Sequence, residues 1–311
     1  RNLTLPFFAY GIFKSDELAW PRIQQEVDEY FVDVLENWAI RLRNGLPVLV
    51  SMPNEVVEGE CVRFSDSAQA YEAIGGVEPS GEYKWAEVTT RSGCPCNVLV
   101  AVKPNRGMST EPISRWTSAQ DPSFVHGMAA VLAVVNELRT GLLEHKPWVD
   151  SPDDWDAFFR LQGAYLVLWS IAERLASFRF GAEFSPSGTE GSTTGKIYEF
   201  ANVSEFQDAI RKAQIRDQTI YSVRENRPKR TRPEDEASTD SESIERTLRT
   251  WYQIRSNITH RGKSAWSENA VVLDATIDLY NTLYFYLQTI IKDIDVHWET
   301  RGVGQISRAS V

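Results

Sequence analysis

Apolar and polar positions change period once along the chain, and the change divides it in two. Up to about residue 106, short runs rich in Val, Phe, Tyr and Thr alternate with Gly, Pro and Asn: Phe7 to Tyr10, Pro47 to Ser51, Val56 to Phe64, Tyr83 to Thr90 and Cys96 to Lys103. Such runs predict β-strands, with a single helical interruption at Ser67 to Ile74. Residues 1–106 are therefore expected to form a small β-dominated α+β domain, and 107–122 a linker that opens on a Pro-Asn-Arg-Gly cluster. From Ser123 the helical period takes over, with Val125, Ala129, Leu132, Val135 and Leu138 on one face. A second helix is expected from Trp155 to Phe180, started by Ser151-Pro152-Asp153-Asp154. Its Leu166, Val167, Leu168, Trp169, Ile171 and Leu175 leave little polar face, which predicts a central, buried element. An amphipathic segment at Val203 to Ile215 and two final helices, Ile244 to Arg261 and Asn269 to Ile294, complete a helical half spanning 123–300. The charge-blocked stretch 225–243 is expected to be a mobile insert and 301–311 a tail.

Composition narrows the class. In 311 residues, 42% hydrophobic content and ten tryptophans supply enough apolar volume for two cores. No segment reaches the roughly 20 uninterrupted apolar residues of a membrane span, and Leu5 to Phe8 is too short for a secretory signal. Cys94 and Cys96 flank Pro95, and Cys61 does not complete a zinc set, so the cysteines are expected to be small packing residues in a reducing, cytoplasmic setting, with no metal.

The net charge of −10 argues against an indiscriminate nucleic-acid coat. Its distribution matters more. Basic residues dominate from Arg211 to Arg232, acids from Glu234 to Glu245, and Arg246 to Lys263 holds five basic residues and no acid. That suits a confined nucleic-acid site. At its end stand Arg255-Ser256-Asn257-Ile258-Thr259-His260-Arg261-Gly262-Lys263. On a helix Ser256 and His260 stack one turn apart, with Arg255 offset by about 100°. The last turn also favours a protonated imidazole. RNA cleavage without metal or cofactor needs a base for the 2′-hydroxyl, an acid for the leaving 5′-oxygen and a cation for the phosphorane. Two copies facing across an axis supply all three, so the chemistry predicts a homodimer.

With Trp251-Tyr252 before it and a long Leu- and Tyr-rich helix after it, this run resembles the Apea-like branch of the HEPN superfamily, whose Arg-x4-6-His motif is followed by Arg-Gly-Lys. The resemblance covers about Ser123 to Ile294. It implies an all-α bundle that dimerises and, in many members, cuts RNA without metal. By that match Arg255 and His260 are catalytic with Asn257 in support, and Ser256, Arg261 and Lys263 contact RNA.

In the first half, Phe7-Phe8-Ala9-Tyr10-Gly11-Ile12-Phe13 ends a strand in a glycine turn, followed by Val57-Glu58-Gly59-Glu60, Ala68 to Ala73 and Val77-Glu78 before Tyr83. That order is similar to the gamma-glutamylcyclotransferase-like family over about residues 5 to 104. The likeness implies an α+β barrel with a small-molecule or peptide pocket at Tyr10, Gly11 and Ile12, and Glu78 as its carboxylate, with Glu82 competing for that role. The expected function is a metal-independent endoribonuclease, a stress or antiphage effector regulated by its first domain. Two alternatives stand beside it: a cyclotransferase-like enzyme dimerised by its helical half, and a non-catalytic assembly protein.

Overall fold

The computed structural model describes residues 1–77, 82–103, 107, 109, 111–144, 152–181, 196–216, 219–222, 227–230, 241–261 and 269–307. The chain is α+β and divides into two units, Arg1–Pro122 with Leu175–Thr193, and Ser123–Arg174 with Thr194–Val311.

The first unit is organised by a hairpin. Strands β2 (Val27–Arg43) and β3 (Leu46–Phe64) pair antiparallel from Val27↔Phe64 to Arg43↔Leu46. Asn44 and Gly45, both at positive φ (52° and 81°), form the two-residue turn, the geometry that matches the twist of paired strands. Halfway along, Asn37 (φ 63°) and Asn54 (φ 66°) absorb an irregularity between Glu36 and Trp38, and Asn37 Oδ1 accepts from Asn54 N at 3.2 Å. The two runs expected at Pro47 to Ser51 and Val56 to Phe64 are thus one strand with a kink. Strand β2 has no counterpart among the expected elements.

Strands β1 (Phe7–Ala9), β4 (Tyr83–Thr89) and β5 (Pro95–Ala101) complete a five-stranded sheet in the order β2-β3-β1-β5-β4, with β1 antiparallel to β3 and parallel to β5. The β4–β5 turn bends back to β2: Arg91 N donates to Val34 O at 2.8 Å and Ser92 Oγ to Asp33 Oδ2 at 2.5 Å. Helix α1 (Ser67–Gly75) starts at Asp66, whose Oδ1 accepts from Gln69 N. Beneath it Phe7, Tyr71 and Trp85 meet edge to face. Asn97, fully buried, accepts from Asn2 N at 2.9 Å and donates to Asn2 O at 2.7 Å and to the Tyr71 hydroxyl at 2.6 Å, tying the chain start to the sheet.

Residues 107–122 are not a free linker. Ile113 bridges Ile40 through two backbone hydrogen bonds, of 2.9 and 3.1 Å. Trp116 is fully buried, with its Nε1 donating to Gly45 O at 3.3 Å. The indole has more apolar area than a linker can leave wet, and the hairpin turn gives its N–H an acceptor.

The second unit contains α2 (Met128–Glu144), α3 (Pro152–Phe180, running into the first unit), α4 (Ser204–Ala213), α5 (Ser241–Arg261), α6 (Asn269–Ile290) and α7 (Ile294–Glu299). Several expectations are corrected here. Helix α3 is not buried all round: Phe158, Leu161, Tyr165, Leu168 and Trp169 are inside, but Phe159 is 57% and Val167 41% exposed, because those positions fall on the opposite face of the 3.6-residue repeat. The last long helix stops at Ile290, and Asp293 takes a left-handed conformation (φ 60°) before α7. The second half is not wholly helical. Strands β6 (Thr219–Ser222) and β7 (Arg227–Arg230) form a two-stranded sheet, so residues 227–230 and the start of α5 at Ser241 are ordered parts of the expected insert. Residues 231–240 lie outside the described residues. The 301–311 tail is partly built in: Asn281 bonds both the N–H and the C=O of Ile306, at 2.9 and 3.0 Å, and Tyr280 donates to Gly304 O at 3.0 Å.

Candidate functional site

Helix α5 is held by a buried stripe, Ile244, Leu248, Trp251 and Ile254. Thr247 and Thr250 are buried on it as well, and their hydroxyls return to the carbonyls of Ser243 and Arg246 four residues back. Helix α3 fixes it from outside: Tyr165 Oη donates to Trp251 O at 2.6 Å, and the rings of Trp169 and Tyr252 lie 5.9 Å apart. Burial raises the Tyr165 hydroxyl well above its ordinary pKa, so it remains a donor at neutral pH.

This packing sorts the motif residues by face. Arg255 and Ser256 are half-buried and Thr259 is exposed. Thr259 Oγ1 donates to Arg255 O at 3.0 Å, and Arg255 Nη1 approaches Thr259 Oγ1 at 3.5 Å. Asn257 turns inward, 4% exposed, and accepts from Gln253 Nε2 at 2.7 Å. Any contribution from it is to hold the helix rather than to touch substrate. His260 and Arg261 close the last turn of α5, with His260 one turn after Ser256. Their side chains, with Gly262 and Lys263, lie outside the described residues.

Charge along α5 changes just after its first turn. Arg246 lies 3.9 Å from Glu242, and Arg249 lies 2.5 Å from Glu245 while standing 4.4 Å over the Tyr198 ring. From Arg246 on the helix has no acid of its own. Arg255 and the last turn therefore offer cation where the carbonyl end of the helix dipole is negative.

In the first unit, Tyr10, Gly11 and Ile12 share one turn after β1. Tyr10 Oη donates to Leu99 O at 2.8 Å and Ile12 is buried. Gly11 is required by space, since a Cβ there would meet Pro47 Cγ at 2.8 Å. Glu78 lies outside the described residues. The competing carboxylate, Glu82, forms an ion pair with Arg43.

A set of residues not singled out from sequence gathers just beyond this turn. Lys14 Nζ lies 3.5 Å from Glu17 Oε1 with both side chains buried, and Glu17 Oε2 accepts from Ser118 N at 2.9 Å and Oγ at 2.5 Å. Ser15 bonds both oxygens of Glu60, through its N–H at 2.6 Å and its hydroxyl at 2.8 Å. A small open pocket of about 90 Å³ lies beside them, lined by Lys14, Asp16, Val32, Glu58, Gly59, Glu60 and Arg115. The one sequence signal is an opposite-charge pair three residues apart, Lys14 and Glu17, set between the apolar residues Phe13 and Leu18.

Burial pushes the Glu17 carboxyl up to about 7, against the pull of Lys14 and Ser118. The folded state thus holds this proton more tightly than an ordinary carboxyl at 4.5. Its contribution to stability is fully present below about 4.5 and is lost as pH rises toward 7. Glu17→Gln is expected to flatten that window: the difference in denaturation midpoint between variant and wild type should change from pH 4.5 to 7 and level off above it. Parallel curves would refute the assignment.

The cysteines pack as small residues. Cys61 and Cys96 are buried and Cys94 is half-buried. The neighbouring Cys96 thiol and burial hold Cys61 high, and burial raises Cys94, so both stay protonated at neutral pH. Among the described residues no group of His, Cys, Asp and Glu is placed to hold a metal ion, and no helix is long and apolar enough to cross a membrane. Comparison with protein-family models, curated proteins and solved structures finds no match.

Proposed function

We propose that the protein is a metal-independent endoribonuclease of HEPN type, acting in the cytoplasm as a homodimer with Arg255 and His260 of both copies at a shared cleft. The observation that carries this reading is the sorting of faces on α5. Arg255 and Thr259 are on its accessible edge, His260 closes the same turn, and Asn257 locks the inner side.

In the reaction the RNA 2′-oxygen forms a bond to phosphorus as the bond to the 5′-oxygen breaks. One His260 takes the 2′-proton and the other gives a proton to the departing oxygen, while Arg255 bears the charge of the non-bridging oxygens. The products are a 2′,3′-cyclic phosphate and a free 5′-hydroxyl. Ser256, Arg261 and Lys263 are assigned contacts with the RNA backbone. The first unit serves as a gamma-glutamylcyclotransferase-like regulatory domain, and the pocket beside Lys14 and Glu60 supports a small-molecule or peptide ligand for it. Such a pairing suits a stress or antiphage effector.

The test is incubation of the wild-type protein with a mixed RNA pool in EDTA, with the fragment ends analysed. Cyclic phosphate ends are expected, with a rate that falls faster than linearly on dilution below the dimer dissociation constant. Absence of cleavage across varied RNAs by demonstrably folded protein would sink the proposal.

A further inference from the structure

The pocket beyond the β1 turn has a charge pattern that RNA cleavage does not use. One wall is built on β3, where Glu58 and Glu60, two residues apart, share a face of the strand. Val32, opposite Glu60 on β2, is 74% exposed beside them. Gly59 between the two acids has no room for a side chain, since a Cβ there would stand 2.6 Å from Ala9 O and from the Phe8 ring. Glu60 is 8% exposed and is held at both oxygens by Ser15. Those bonds fix where the carboxylate points without cancelling its charge. Neither Glu58 nor Glu60 is in an ion pair among the described residues.

The cations of the same pocket are Arg115, exposed and 3.9 Å from Asp16, and Lys14, 4% exposed. A buried ammonium needs acceptors for its N–H groups, yet Lys14 Nζ has no hydrogen-bond partner among the described residues. Glu17 Oε1 stands 3.5 Å away, and burial pushes that carboxyl up to about 7, so at neutral pH it balances Lys14 only in part. An unpaired buried donor is costly, and a ligand acceptor placed on it recovers that free energy. The pocket thus combines a donor without an acceptor and two carboxylates without a cation, in a space of about 90 Å³. A simple cation would be repelled by Lys14, and a simple anion by Glu58 and Glu60. None of Tyr10, Gly11 and Ile12 lines this space, so it is separate from the turn singled out in the sequence.

We propose that this pocket binds a small zwitterion of the size of a free amino acid, with its carboxylate on Lys14 and Arg115 and its ammonium on Glu58 and Glu60. This rests on the reading of the first unit as a ligand-binding domain and is independent of cleavage at Arg255 and His260. Binding to the full-length protein is measured by titration calorimetry with glycine, alanine, β-alanine and 4-aminobutyrate, and with acetate and methylamine as probes of one charge each. At least one of the zwitterions is expected to bind about tenfold or more tighter than either single-charge probe. Glu58→Gln, an exposed change that folding tolerates, should weaken that binding about tenfold, the scale of one hydrogen bond to a charged group. Lys14→Met should abolish it, and Glu58→Gln gives the answer if Lys14→Met does not fold. Acetate or methylamine binding as tightly as the zwitterions overturns the proposal and leaves a ligand pocket in the first unit. No heat from any probe with folded protein overturns the pocket as a ligand site as well, and leaves the ribonuclease reading to the RNA assay. Zwitterion binding with unchanged affinity in Glu58→Gln overturns the placement of the ammonium.

Discussion

His260→Ala is expected to slow metal-free RNA cleavage by roughly a thousandfold, the middle of the range for loss of a general acid or base, while RNA affinity changes little. The split follows from position. His260 closes the last turn of α5, past the buried stripe that anchors the helix, and in the proposed reaction it transfers protons while Arg255 meets the phosphate. Arg255→Ala should instead weaken both turnover and binding, because a guanidinium meets phosphate in the ground state as well as in the transition state. Equal rates for wild type and His260→Ala in single-turnover assays would remove the histidine from the chemistry.

The second large effect is on stability. Trp116→Ala is expected to cost about 3–5 kcal/mol, as for other fully buried large-to-small changes, lowering the denaturant midpoint of the first unit. The indole fills the space against the Asn44-Gly45 turn and donates to Gly45 O. On the same turn, a Cβ at Gly45 would stand 2.3 Å from Pro122 Cδ. Residues 113–122 therefore close the hairpin. A change within about 0.5 kcal/mol, as for an exposed linker residue, would contradict this.

What was legible in the sequence follows a physical line. Elements whose apolar period is local were recovered, including α1, β4, β5 and α5, because each buries a face its own residues define. Strand β2 was not. Its Asp28, Glu29, Asp33 and Glu36 blur the alternation, and its partner is set by the hairpin turn, although Asn44-Gly45 is a strong local signal of such a turn. Strand β3 read as two pieces because Pro53-Asn54 resembles a turn, whereas Asn54 only absorbs a kink opposite Asn37. At the candidate site, spacing set His260 one helical turn after Ser256, with Arg255 about 100° to the side. It did not show that Asn257 turns inward to Gln253, since that depends on which side of α5 the rest of the bundle covers. The Lys14 and Glu17 pair was beyond local reading altogether: the partner that completes it, Ser118, is 101 residues away from Glu17.

The hydrogen bond from Tyr165 to Trp251 O has a mechanical consequence. In an α-helix that carbonyl is also the acceptor for the amide of the residue four places on, which here is Arg255. One oxygen thus serves a neighbouring helix and the backbone of the arginine at once. Together with the contact of the Trp169 and Tyr252 rings, that shared atom ties the backbone that carries Arg255 to α3.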